Sequence, residues 1–321
     1  MSSNTQVDII EDAIRRHGEL LDILLIDRAT SRTSKELNIV WATDSYPGHG
    51  PKDRILAPDI TGVNKKVIQP RIAKSKDEQR ARTKDRAEVF TPKNVVYEMN
   101  QQVDWAGNNW PADRTNWKEY ILENKLEITC GEAPFIVGRY NAINGKKVLS
   151  LSERVGFLDR KMQTVTKFTN TKDEWIEWAI KAYKASYGYE WQGDNLLLAR
   201  ENLLYTFIDY WNDRFPNDKI NLDRKVSEDK LDILLEIATI ISWNIFQMDG
   251  VKYVVPMSCK HEISIEEVPP MLAMLGEKPT VSKSECPGCK YNNPKLHNGK
   301  YAKIMDWEKN KVIKFVDLLK Q

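Results

Sequence analysis

A glycine-containing turn between a strand-like run and a helix-like run, followed twice more by a short apolar run with an acidic end, narrows the folds open to this chain. The runs are residues 126–135 (LEITCGEAPF), 187–204 (YGYEWQGDNLLLARENLL) and 244–250 (NIFQMDG), with AEVFTP at residues 87–92 ahead of them. Alternation of strands and helices is the pattern of an α/β protein with a doubly wound parallel sheet. In such sheets ligands sit outside the carboxyl ends of the strands, so an acid that closes a strand is a candidate binding group.

Glu190 closes the run Tyr187-Gly188-Tyr189, where a carboxylate can accept both ribose hydroxyl protons of a nucleoside. A glutamate ahead of a helix is also favoured there by the helix dipole alone. Gly131, beside Cys130, supplies the side-chain-free position of a loop whose backbone amides must approach a ligand closely. Two positions further on, Ala133 disfavours positive φ, so the turn is expected to hold an ordinary right-handed conformation there. Leu196, Leu197, Ala199, Leu203 and Leu204 recur at helical spacing and read as core. Residues 240–250 read as a β-rich run closed by an Asp-Gly turn at Asp249, with Gln247 and Met248 able to flank a base.

In their order, the four patches resemble the cofactor half of the adenine-specific amino-methyltransferases of DNA restriction-modification systems. The likeness covers roughly residues 40–255 and implies a class I methyltransferase sheet, S-adenosylmethionine as cofactor and double-stranded DNA as substrate. It places Phe90, Thr91 and Pro92 at the methionine moiety, and matches Glu127 through Ala133, with Cys130 and Gly131, to the family's acidic-Pro-Ala-Cys-Gly-x-Gly loop. It also nominates Asp249 as acceptor for the adenine amine. Ile128 and Ala133 depart from the family pattern, where proline and glycine are usual. The family's Asp/Asn-Pro-Pro-Tyr/Phe element, which holds the target amine, is not found. Val268-Pro269-Pro270-Met271 lacks the amide and the ring, and Tyr291-Asn292-Asn293-Pro294 lacks the second proline, so no catalytic residue is assigned. The expected function is adenine methylation, with a restriction or specificity subunit as candidate partner. The alternative is an inactive methyltransferase-like DNA-binding or assembly subunit of a restriction or phage-defence complex.

A net charge of +2 over 321 residues leaves any attraction to nucleic acid to local patches. The densest lies between residues 64 and 93, where Lys74, Lys76, Arg80, Arg82 and Lys84 are the candidate phosphate contacts; a solvated helix of mixed charge is the plainer alternative. No stretch is long and apolar enough to span a bilayer, and the start has neither the basic end nor the apolar run of a signal peptide, so a cytoplasmic protein without a membrane partner is expected. Residues 7–28 read as one or two amphipathic helices, which gives a helical segment over 1–45, the cofactor-type domain over 46–255 with an insertion at about 141–170, and a small module over 256–321. Trp175 and Trp178 mark the aromatic face of a helix over 174–186, and residues 301–319 read as a β-hairpin about the polar break Lys309-Asn310-Lys311.

The four cysteines divide unevenly. Cys130 sits in the glycine loop, whereas Cys259, Cys286 and Cys289 fall in the last module together with His261 and His297. The spacing Cys286-Pro-Gly-Cys289 is that of a zinc knuckle, and Cys259 with either histidine would complete four ligands. His297 is the nearer in sequence to the pair, so the expected structural zinc set is Cys259, Cys286, Cys289 and His297. Free thiols in a Pro-Gly turn are the alternative.

Overall fold

The computed structural model describes residues 12–86, 91–108, 112–141, 144–266 and 280–319. The protein is mixed α/β and centres on a three-stranded parallel sheet of order β1 (Lys125–Glu127), β2 (Ser186–Glu190), β3 (Ile245–Gln247). Leu126 lies opposite Tyr187, and Tyr189 opposite Phe246, so the carboxyl ends of the three strands fall on one side, where Glu127 and Glu190 close β1 and β2 and Gln247 closes β3. Among the described residues, β1 and β3 are its outer strands.

Ahead of the sheet lie α1 (Gly18–Leu25), α2 (Ala57–Ile60), α3 (Lys76–Arg86), α4 (Lys93–Ala106) and α5 (Trp117–Leu122). Leu20, Leu21, Leu24 and Leu25 repeat at helical spacing and bury one face of α1. Helices α6 (Phe157–Phe168) and α7 (Lys172–Lys184) lie between β1 and β2, and α8 (Gly193–Arg214) and α9 (Glu228–Asn244) between β2 and β3. The expected insertion thus contains the regular helix α6. Thr171 caps α7 by accepting from the Glu174 amide at 3.2 Å. Trp175 and Trp178 are buried as expected, Trp175 against Phe207, Trp211 and Phe215.

Helix α8 is buried along most of its length, and Leu196, Leu197, Ala199, Leu203 and Leu204 join the main core with the leucines of α1. Arg200, buried on the same helix, donates to the carbonyls of Leu24, Ile26, Ser242 and Ile245. The amino-terminal helix therefore shares one core with the sheet and its helices.

Residues 240–244 are not strand. They form the last turns of α9, and β3 is only Ile245–Gln247. Ile237, Ile240 and Ile241 are buried in a helix packed on α1 and α7, and that packing overrides the β preference of the isoleucines.

The remaining strands are antiparallel pairs: β4 (Glu262–Glu266) with β5 (Thr280–Ser284), and β6 (Lys303–Asp306) with β7 (Lys311–Lys314). The second pair is the expected hairpin, with Asn310 at φ +49° in its turn. It packs on the sheet through a small cluster of Tyr189, Phe246, Met248, Ala302 and Ile304. No described helix is long and apolar enough to cross a membrane.

Candidate cofactor crevice and metal centre

The loop after β1 is shaped by hydrogen bonds to acids. Glu127 reaches across its own turn to accept the amides of Phe135 and Ile136 at 3.3 and 3.1 Å. The Cys130 amide donates to the Tyr189 carbonyl at 2.8 Å, which fastens the loop to β2. Gly131 takes φ +54° and aims its amide at Glu190 Oε2, 2.8 Å away, while the Gln192 amide donates to Glu190 Oε1 at 3.1 Å. Burial pushes the Glu190 carboxyl up to about 7 against these amide donors, and burial likewise raises Glu127. Ala133 is not right-handed as expected: it holds φ +65°, and Thr129 holds φ +46°. A left-handed alanine and a left-handed β-branched residue flank the glycine, so the loop carries backbone strain beside Glu190.

Asp249 follows β3 and is buried, but its Oδ1 closes a turn by accepting the amides of Val251 and Lys252 at 2.9 and 3.0 Å. Its Oδ2 has Lys252 Nζ 4.0 Å away. Gln247 and Met248 do not flank an open base site. Gln247 is bound to the backbone of Val40 on both sides and to the Trp191 carbonyl, and Met248 is packed under the hairpin. The extended stretch around Val40 and Trp41 thus crosses the strand ends, and the Gly193 amide donates to the Trp41 carbonyl at 3.0 Å.

Phe90 lies outside the described residues. Thr91 and Pro92 lead into α4, with Pro92 as its N-cap. Asn100 of α4 donates to the carbonyls of Phe135 and Val155, which holds this helix against the loop after β1. The Thr91-Pro92 element and the glycine loop are therefore linked through α4.

The basic run divides. Lys76, Arg80 and Lys84 are exposed, whereas Lys74 and Arg82 are buried against Asp194, Arg82 Nη2 at 2.6 Å and Lys74 Nζ at 3.4 Å from Oδ2. The Tyr46 hydroxyl donates to the same oxygen at 2.6 Å. Burial works to raise Asp194, but the two cations outweigh it and hold the carboxyl below its ordinary value. Lys74 and Arg82 are thus internal counter-charges, not surface phosphate contacts. Sequence reasoning missed Tyr46, Gln192 and Asp194; the one local signal was an acid in the first turn of a long helix.

In the last module, Cys259, Cys286, Cys289 and His297 converge, with ligand atoms within 4.8 Å of one another. The three sulfurs lie 3.5, 3.6 and 3.8 Å from His297 Nδ1. Zinc–sulfur bonds of about 2.3 Å and zinc–nitrogen bonds of about 2.0–2.1 Å at tetrahedral angles give a sulfur–nitrogen edge of about 3.6 Å, so the spacing suits one ion. The other candidate ligand, His261, is exposed and outside the group. Burial works to raise Cys286, but the amides of Asn298, Cys289 and Gly288 bring its thiol down to about 6, with Asn298 N 3.2 Å from its sulfur. Burial and the neighbouring sulfurs push Cys259 up to about 12. Three sulfurs and an imidazole held this close are an arrangement that a divalent cation stabilises. The group could therefore hold a metal ion such as zinc. Pro287–Lys290 forms one short helical turn that carries Cys289.

No family model, curated protein or solved structure matches this chain.

Proposed function

We propose that the chain binds S-adenosylmethionine across the carboxyl ends of β1, β2 and β3, as the cofactor-binding part of a site-specific DNA adenine methyltransferase with a class I methyltransferase sheet. The observation that carries this reading is Glu190: a buried carboxylate at the end of the middle strand, in contact with the left-handed glycine loop after the neighbouring strand. Two amides occupy one site on each of its oxygens and leave acceptor capacity for the two ribose hydroxyls. Asp249 Oδ2 is the acceptor assigned to the adenine amine, and Thr91 and Pro92 are assigned to the methionine end together with Phe90. S-adenosylmethionine held by these residues would supply the methyl group for transfer to the target amine. No residue among the 321 is assigned to hold that amine. Zinc at Cys259, Cys286, Cys289 and His297 is structural in this reading, because four protein ligands leave no open position.

One observation favours a second reading. The sequence carries no Asp/Asn-Pro-Pro-Tyr/Phe element, which fits a DNA-binding or assembly subunit that keeps the cofactor fold without transfer. Calorimetry with S-adenosylmethionine tests the crevice: the wild type binds, and Glu190→Ala, which removes charge-assisted hydrogen bonds of about 1.5–3 kcal/mol, weakens binding at least about tenfold. No binding by the intact protein refutes the first reading and leaves the second, as a scaffold of the same fold without the cofactor. Mass spectrometry of nucleosides from plasmid DNA of cells expressing the chain then separates them, since methylated adenine appears only under the first.

A further inference from the structure

A groove of about 810 Å³ lies along the carboxyl-terminal half of α8, away from Glu190 and the strand ends. Its floor is one face of that helix, Tyr205, Ile208, Asp209 and Asn212, at the three- and four-residue spacing that aligns side chains on a helix. One wall is the turn at Asp12 to Arg16, and the other is the connector between α8 and α9. That connector brings Lys219, Arg224 and Lys225 to the groove, all three exposed and without an ion pair among the described residues. The acids of the groove are already engaged: Asp12 with Arg16 and Lys65, Asp223 with Arg16, and Asp209 with Arg139 and Arg154. Each acid is thus answered by a cation other than those three, so the uncompensated charge of the lip is positive.

The fit of this shape to a ligand follows from its length and charge. From Tyr205 to Asn212 the helix rises about 10 Å at about 1.5 Å per residue. One strand of B-form DNA carries a charge every 3.4 Å along its axis, so a floor of that length faces about three phosphates, as many as the lip has unpaired cations. Tyr205 and Asn212 give the floor polar groups, and Arg139 and Arg154 neutralise its one acid, Asp209. The run around α3 loses Lys74 and Arg82 to Asp194, which removes two of the five contacts expected there.

We propose that this groove is a DNA-backbone contact surface, in which Lys219, Arg224 and Lys225 meet phosphates. The choice of DNA rests on the methyltransferase reading above, while the groove itself does not. The test is fluorescence anisotropy of a labelled 20-base-pair duplex against the full chain over a salt series. The triple variant Lys219→Glu, Arg224→Glu, Lys225→Glu is compared with a control of equal charge change on the exposed hairpin, Lys309→Glu, Lys311→Glu, Lys314→Glu. The expected result is a log-affinity against log-salt slope shallower by about 2–3 units in the groove variant, at about 0.9 per contact, and a smaller change in the control. Equal slopes in the groove variant and the control overturn the proposal, as does a wild type that fails to bind the duplex at low salt. Competition by poly-glutamate as effective as by unlabelled duplex also overturns it, and reassigns the groove to an acidic protein segment. Calorimetry of S-adenosylmethionine on the same preparations reports separately on the crevice, so a failure of the cofactor reading is not mistaken for a failure of the groove.

Discussion

Adding a single methyl group at Gly288 is expected to disable the metal centre without touching a ligand. An alanine Cβ there would lie 2.5 Å from both Cγ and Nδ1 of His297 and 2.6 Å from its backbone nitrogen. Ordinary contact begins near 3.4 Å, so the ring or the turn must yield by about 1 Å, whereas metal ligands tolerate about ±0.2 Å. The backbone offers little relief: the His297 amide is held by the Tyr301 hydroxyl at 2.9 Å, and Gly288 is bonded to Leu296 and Asn293 on either side. Loss or distortion of one ligand should therefore weaken zinc binding at least about a hundredfold, roughly 2.7 kcal/mol. Competition against a chromogenic chelator at neutral pH measures this directly, and cobalt substitution reports loss of tetrahedral geometry by its absorption. Gly18→Ala, where nothing lies within 4 Å of the added carbon, is the control. A Gly288→Ala protein that holds zinc within about threefold of wild type would refute the steric argument, and unchanged cobalt spectra would refute His297 as a ligand.

Thr129→Gly should stabilise the protein by about 0.5–1 kcal/mol in denaturant unfolding, because relief of a left-handed β-branched residue exceeds the added chain entropy and the exposed side chain gives up little packing; a loss of stability would show that φ +46° is not a strained state. Glu201→Ala should cost about 3–5 kcal/mol, since Arg15 is buried and Glu201 binds it through both oxygens at 2.6 and 2.8 Å; a cost under about 1 kcal/mol would mean that water reaches Arg15. Affinity for S-adenosylmethionine should rise with pH through about 7 and then level, because ribose hydroxyls favour the ionised Glu190 and so lower its pKa on binding. Below that value the affinity falls by at most about tenfold per pH unit, one proton being taken up by the free protein, and a flat profile between pH 5.5 and 8 would remove Glu190 from the ligand contacts.

What could be read from the sequence is what local chemistry dictates. An acid closing a short apolar run puts a carboxylate at a strand end whatever else the chain does, and Glu127 and Glu190 stand at the ends of β1 and β2, with Asp249 just past β3. Three thiols and an imidazole have few ways to coexist within one small module, so Cys259, Cys286, Cys289 and His297 were recognisable from spacing and residue type alone. What could not be read depends on residues far along the chain. Lys74 and Arg82 look like their exposed neighbours Lys76, Arg80 and Lys84 until Asp194 is brought to them from 120 and 112 positions away. Gln247 looks free to meet a ligand until Val40, 207 positions earlier, claims its amide.

Ala133 shows the same limit at the backbone. Intrinsic preference places alanine in the right-handed region, yet its Cβ is wholly buried and the loop around it is tied at several points. The carbonyl of Cys130 accepts from the Ala133 amide at 2.7 Å, Glu127 holds the amides of Phe135 and Ile136, and Glu190 holds that of Gly131. A left-handed alanine costs about 1–2 kcal/mol, less than the combined hydrogen bonds to buried carboxylates that fix the loop. The acids that point to a ligand crevice are thus also the groups that hold its loop in shape, and removing Glu190 should loosen the loop as well as the ligand. Hydrogen exchange at the Gly131 amide separates the two effects: accelerated exchange in ligand-free Glu190→Ala shows the structural role, and unchanged exchange would leave ligand contact as the whole of its function.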